Sequence, residues 1–226
     1  MLDLANRYGR RSDIIEMAQE IINEQYKITA FTHPDCAIVT CNANLQIAKW
    51  GLIPHWIKTE EEASKIRKMT LNAKSETVFT LPSFRKPILN KRCLVPSTGY
   101  FEFHHEGKEA IPYYIFLKEE AIFSLGGVFE LWDNPTTHET IETFTILTVP
   151  ANELCAKIHN GGSNPMRMPL IIDKEKEEQW IDYSLNVSDI RKFFSPFDNE
   201  KISAYPISRD FVKKNPKDAS IIERAA

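Results

Sequence analysis

Lys91-Arg92-Cys93-Leu94-Val95-Pro96-Ser97-Thr98-Gly99-Tyr100-Phe101-Glu102-Phe103-His104 is the stretch from which the fold is read. An apolar run, Cys93 to Val95, meets turn-forming residues from Pro96 to Gly99, and an aromatic run with Glu102 inside it follows. Short apolar and aromatic runs bounded by Pro and Gly predict two buried strands with a tight bend between them. Glu102 has two readings. Side chains alternate along a strand, so it can point to solvent while Phe101 and Phe103 pack inward. Alternatively it lies against an apolar wall, which raises a carboxyl pKa towards the range a general acid needs.

Further strands are predicted on both sides of this stretch. Upstream, 36–41 and 45–50 form a hairpin across a turn at 42–44. Downstream, 105–108 is a hairpin turn, and 113–117, 122–132, 142–148, 167–172 and 201–207 are strands. Gly126-Gly127 within one of them marks a bulge or a close backbone approach. Helices are fewer. Ile14, Met17, Ala18, Ile21 and Ile22 recur at helical spacing over 13–24. Thr59-Glu60-Glu61-Glu62 fits a capping box that opens a helix to about Met69. A short helix over 153–158, opened by Asn152 or Pro150, ends at His159. Asp173 is read as the cap of another helix towards Tyr183, and 188–194 as a last short one. Many strands in succession with few helices between them predict an α+β fold. Its core is a mostly antiparallel, strongly bent sheet or barrel-like β structure, with several peripheral helices. No repeat, low-complexity tract or linker interrupts the chain, so residues 1–226 are read as one domain.

Composition narrows the function classes. The chain has 226 residues, 26% of them charged and 42% apolar, with a formal net charge of -3. That balance excludes a strongly basic nucleic-acid coat but leaves room for a local basic groove. No apolar run approaches the ~18 residues of a membrane span, and no signal-peptide pattern opens the chain. Cys36, Cys41, Cys93 and Cys155 are scattered without a C-x-x-C pair, so neither a zinc site nor a disulfide framework is predicted. The expectation is a cytoplasmic, reduced protein without metal, cofactor or membrane partner. The basic tail at Lys213, Lys214 and Lys217 is expected to be solvated.

Three other segments carry candidate chemistry. Trp50-Gly51-Leu52-Ile53-Pro54-His55-Trp56 is broken by Gly and Pro. Its tryptophans are either core residues or stacking faces for a base. Leu71-Asn72-Ala73-Lys74-Ser75-Glu76-Thr77 places an amide, a cation and a carboxylate within five residues. It is either a solvated face or, beside Glu102, a site where Asn72 orients a substrate and Lys74 holds a phosphate. Cys155 and His159, four apart, would share a helix face, which permits a thiolate–imidazole pair. Helical Cys is more often a small buried apolar residue.

In order, the motifs are Trp50-Gly51-Leu52-Ile53-Pro54-x-Trp56, Asn72-Ala73-Lys74-x-Glu76-Thr77, Arg92-Cys93-Leu94-x-Pro96-x-x-Gly99-Tyr100-Phe101-Glu102-Phe103, Ile158-His159 and Arg167-Met168-Pro169. Five such motifs in this order and spacing resemble the SOS-response-associated peptidase family, the abasic-site processing proteins. The resemblance runs from about Trp50 to Ile172 and continues more weakly to Ile207.

It implies binding of single-stranded DNA at abasic sites. In the family, the residue after the initiator Met is Cys. Its α-amine, exposed when the Met is removed by self-cleavage, condenses with the ring-opened sugar aldehyde. The thiol then closes a thiazolidine, leaving a stable DNA–protein crosslink. By position, Glu102 matches the family's acid/base glutamate, Asn72 its positioning amide and His159 its active-site histidine. Arg167 matches a phosphate-contacting Arg, and Lys74 stands where the family usually has Arg. Trp56 and Phe103 match aromatics that wedge against or stack on DNA, with Phe103 standing where Trp is commoner.

The opening departs from this pattern. The family begins Met-Cys-Gly-Arg, whereas Met1-Leu2-Asp3-Leu4 stands here, and Arg7-Tyr8-Gly9-Arg10 carries no Cys. Because Asn72, Glu102 and His159 are all present, an upstream segment bearing the nucleophile is expected. Two alternatives stand beside this reading. One is a non-covalent single-stranded nucleic-acid-binding module that has lost the nucleophile. The other is a hydrolase using Glu102 with His159, or Cys155 with His159.

Overall fold

The computed structural model describes residues 25–41 and 45–225, so the helix predicted over 13–24 and the turn at 42–44 lie outside the described residues. The described strands are β1 (Asp35–Val39), β2 (Leu45–Trp50), β3 (Asn72–Lys74), β4 (Arg92–Ser97), β5 (Tyr100–Glu106), β6 (Glu109–Leu117), β7 (Phe123–Asp133), β8 (Thr140–Pro150), β9 (Arg167–Pro169), β10 (Ile171–Ile172) and β11 (Ile202–Pro206). The α-helices are short: α1 (Glu60–Arg67), α2 (Pro87–Asn90), α3 (Glu153–Ile158), α4 (Glu177–Trp180) and α5 (Val187–Arg191).

Strands β1, β2, β8, β7 and β4 pair in turn, and β4 returns to β1 through Val39 opposite Leu94, so five strands close a ring. Ile38, Leu94, Val128, Phe144 and Leu147 of this ring are buried within the main apolar core. The pairings are mostly antiparallel, as predicted. The parallel exceptions among the described strands are β2 and β3, both against β8. A second sheet runs β11-β6-β5.

The bend in the central stretch passes the chain between the two sheets. Gly99 is needed there, since a Cβ on it would come within 2.4 Å of the Tyr114 ring. β4 lies between β1 and β7 and is buried at Cys93, Leu94 and Val95. β5 is the edge of the small sheet and is only partly covered, so the expectation of two buried strands holds for β4 and fails for β5.

The Gly126-Gly127 pair is a close approach and not a bulge. The β4–β7 register runs unbroken from Arg92 opposite Val128 to Ser97 opposite Phe123. A Cβ on Gly127 would sit 2.7 Å from the Thr145 carbonyl oxygen and 3.1 Å from Cys93 Sγ. β7 can therefore bond to β4 and β8 at once, which the ring requires.

Other boundaries move for local reasons. Thr59 caps α1, its Oγ1 accepting from the Glu62 N–H at 3.2 Å. Asn152 caps α3, with Oδ1 accepting from the Cys155 N–H at 2.9 Å, so Pro150 is not the opener. Asp173 makes no side-chain cap and its carboxylate faces Lys176 and Lys201 instead. The strand predicted over 167–172 is divided at Leu170, with β9 on β8 and β10 on β7. In the tail, Lys214 Nζ donates to Ser220 Oγ at 2.8 Å and is not simply solvated. No helix among the described residues is long and apolar enough to cross a membrane.

Candidate active site and nucleic-acid interface

Glu102 lies on β5 and His159 directly follows α3. Three hydrogen bonds hold these elements together. His104 Nδ1 donates to the Lys157 carbonyl at 2.8 Å, the His105 N–H to Asn160 Oδ1 at 2.7 Å, and Asn160 Nδ2 back to the His105 carbonyl at 2.9 Å. The result sets His159 Nδ1 3.7 Å from Glu102 Oε1, with the side chains 20% and 24% exposed. Nδ1 itself donates to the Arg167 carbonyl at 3.0 Å, because a carbonyl oxygen can only accept.

Burial raises the Glu102 carboxyl above its ordinary pKa, while His159 and the Phe103 N–H pull it partly back. The flanking phenylalanines are not the covering wall. Phe101 packs on Tyr114 and Phe211 with ring centroids 5.5 and 5.1 Å away, and Phe103 on Phe211 at 6.0 Å. Strand alternation therefore sends Glu102 to the other face, but that face is covered by the end of α3 and is not open solvent.

Tyr100 shares the Glu102 face, two residues back along the strand. Its hydroxyl is 3.1 Å from Cys155 Sγ. Burial keeps the phenol protonated and pushes the Cys155 thiol up to about 11. The Cys155–His159 pair weighed from spacing does not form: the thiol faces Tyr100, and the imidazole Nδ1 is given to Arg167.

Strand β8 organises the remaining candidates. β3 runs along one side of it, with Asn72 beside Ile146 and Lys74 beside Thr148. β9 runs along the other, with Arg167 beside Pro150. Asn72 and Lys74 are exposed. The Arg167 guanidinium forks onto Glu76 and donates through Nη2 to the Thr148 carbonyl at 2.6 Å. It holds the Glu76 carboxyl below its usual range. The Asn72-to-Thr77 and Arg167-Met168-Pro169 motifs thus meet over Thr148.

The two tryptophans differ in environment. Trp50 stacks on Phe144 at 5.7 Å and donates Nε1 to the Leu71 carbonyl at 2.7 Å, next to Asn72. Trp56 is 44% exposed and Phe103 37% exposed. Phe103 reaches Glu102 through its backbone N–H, while its ring packs on Phe211. From Thr143, beneath the Trp56 loop, to Pro150, beside Arg167, β8 spans roughly 23 Å at the usual strand rise. Sequence reasoning missed Tyr100 as a neighbour of Glu102, Glu76 as the partner of Arg167, and Glu130 as a partner of His55. Glu130, a carboxylate between Phe129 and Leu131, is the same kind of signal that singled out Glu102.

Comparisons with other proteins bear on the family and the fold. A family model described as SOS response associated peptidase (SRAP) matches residues 3–214. A Bacillus subtilis protein named abasic site processing protein YoqW is 36% identical over 169 residues, covering 74% of this chain and 70% of its own length. Abasic site processing protein HMCES of Gallus gallus is 30% identical over 181 residues, 71% of this chain and 51% of its own. A crystal structure from Bacteroides thetaiotaomicron is 49% identical, with TM-score 0.95 over 100% of this chain and 96% of that one. One from Bordetella bronchiseptica, 21% identical with TM-score 0.70 over 85% and 95% of the two chains, shares the fold. By its fold, its ordered motifs and the family match over most of its length, the chain belongs to the SOS response associated peptidase (SRAP) family.

Proposed function

We propose that this protein recognises abasic sites in single-stranded DNA and processes them through a covalent step in which Glu102 is the acid–base group. The observation that carries the proposal is the shielded Glu102 carboxyl, raised in pKa and 3.7 Å from His159. Condensation of an α-amine with the ring-opened sugar needs a proton for the ring oxygen and another for the departing water. A carboxyl whose pKa burial raises is better suited to supply both than a free one. An α-amine, with a pKa near ~8, is partly neutral under the same conditions.

Asn72 orients the sugar without adding a charge, and His159 acts beside Glu102. Lys74 and Arg167 hold phosphates on either side of Thr148. Trp56 and Phe103 offer stacking faces, which favour unpaired bases over a duplex. A neighbouring thiol on the same N-terminal residue would close the thiazolidine, and self-cleavage of the initiator Met would free that residue.

The test is anisotropy with labelled single-stranded and duplex oligonucleotides, with and without an abasic site, over a salt series, followed by denaturing gels. Single-strand preference and affinity that falls as salt rises are expected, because phosphate contacts release counterions. Salt-independent binding, or none, would remove the proposal.

A further inference from the structure

Glu130 is 2% exposed. A carboxylate persists at that depth only when it is paired. Lys91 Nζ pairs with Oε1, which also accepts from the Leu131 N–H at 3.1 Å, and His55 Nδ1 lies 3.0 Å from Oε2. Both oxygens are thus occupied. Of the two side-chain partners His55 is the more open, at 47% against 30% for Lys91, and it directly precedes Trp56.

The loop between β2 and α1 is held at regular intervals. The Gly51 N–H donates to the Phe144 carbonyl at 2.9 Å, and the Ile53 N–H to Thr143 Oγ1 at 2.9 Å. Trp132 Nε1 donates to the Ile57 carbonyl at 2.9 Å. The first two bonds and the last hold backbone. His55 adds a side-chain anchor next to the exposed indole, and Glu130 opposes Thr143 in the β7–β8 register, so the anchors share one patch.

We propose that Glu130 is a positioning residue that acts through His55 to hold Trp56 as a preformed stacking face for an unpaired base. The inference rests on the single-strand reading above and deepens it. A surface that is already ordered loses less side-chain and loop freedom on binding, so releasing the anchor costs affinity of about three- to tenfold.

Glu130→Gln disturbs a buried charge pair and can cost the fold, so variants of the exposed partner carry the test. His55→Ala, His55→Asn, Trp56→Ala and the double variant His55→Ala/Trp56→Ala are compared with the unaltered chain. The probe is a labelled oligothymidine without abasic sites. Anisotropy, quenching of tryptophan fluorescence on binding and thermal melting are read together. His55→Ala is expected to stay folded, because Lys91 still pairs with Glu130, to melt somewhat lower, to bind three- to tenfold more weakly and to show less quenching. His55→Asn, whose amide can take the place of Nδ1–H on Glu130, restores both. The double variant binds no more weakly than Trp56→Ala, because the two residues act as one unit.

Equal loss in His55→Ala and His55→Asn would overturn the proposal in favour of direct contact by the imidazole. So would additive loss in the double variant, or wild-type binding by His55→Ala. If the unaltered chain binds no single strand, this inference and the proposed function fall together. If it binds and Trp56→Ala is without effect, this inference alone falls.

Discussion

His159 Nδ1 lies 3.7 Å from Glu102 Oε1 but donates its hydrogen to the Arg167 carbonyl at 3.0 Å. The imidazole is therefore a polar neighbour of the carboxyl and not a hydrogen-bond donor to it. Direct donation to Glu102 would stabilise the carboxylate and undo the rise that burial produces. The Arg167 carbonyl also fixes which imidazole nitrogen carries hydrogen, leaving Nε2 as the acceptor in the neutral ring.

Glu102→Gln, in a chain carrying an N-terminal Cys after Met removal, should slow crosslinking to abasic DNA by about 10²–10⁴-fold, the usual range for an acid–base residue. Affinity for the same DNA should stay within about twofold. The raised carboxyl pKa sets the sign of the pH profile: the acid form is lost as pH rises through that value, while the neutral α-amine is gained towards ~8. A bell is expected in the Cys-bearing parent chain, and Glu102→Gln made in it should lose the alkaline fall. Timed denaturing gels from pH 5 to 9 read both effects.

A protein starting at Met1, with Leu2 in second place, should bind abasic single strands and give no adduct that survives detergent. Placing Met-Cys-Gly-Arg ahead of the sequence should restore the adduct, because the thiazolidine needs amine and thiol on one residue. An adduct formed without the added Cys would point to a lysine or Cys155 as nucleophile.

Cys155→Ser should leave the crosslinking rate within about twofold of the parent. A thiol pushed up to about 11 by burial is protonated at pH 7.5, and only a thiolate is an effective nucleophile. Mass spectrometry after brief iodoacetamide treatment of the folded protein should find Cys155 unmodified. Rapid alkylation there would contradict this account.

Glu142, opposite Leu131 on β8, tests the fold and not the site. Burial raises its carboxyl to about 7, from 4.5. Between those values the folded chain holds a proton that the unfolded chain has released. Stability therefore falls as pH rises through the window, and the cost is complete above about 7. Glu142→Gln should raise stability at pH 8 by ~1–2 kcal/mol, a figure reduced for its partial exposure, and change it little at pH 4. Paired denaturant melts at the two pH values check this.

What the sequence determined by itself was mostly local. Thr59 with Glu62, and Asn152 with Cys155, are caps written into adjacent residues, so α1 and α3 could be placed within a residue or two. The alternating β-rich runs announced a bent, mostly antiparallel core. The ordered motifs announced the family. Tertiary structure decided the rest, because long-range pairing leaves little trace in any one segment. Nothing near Pro96 says that the bend hands the chain to a second sheet, or that Leu170 divides a strand between β8 and β7. Strand alternation told which residues oppose Glu102, but only the packing of α3 on β5 decided that its face is covered. Arg167 and Glu76 are 91 residues apart, and His55 and Glu130 are 75 apart. Their pairing follows from the register of strands around β8, where hydrogen-bond geometry and apolar burial across the whole ring select the partners.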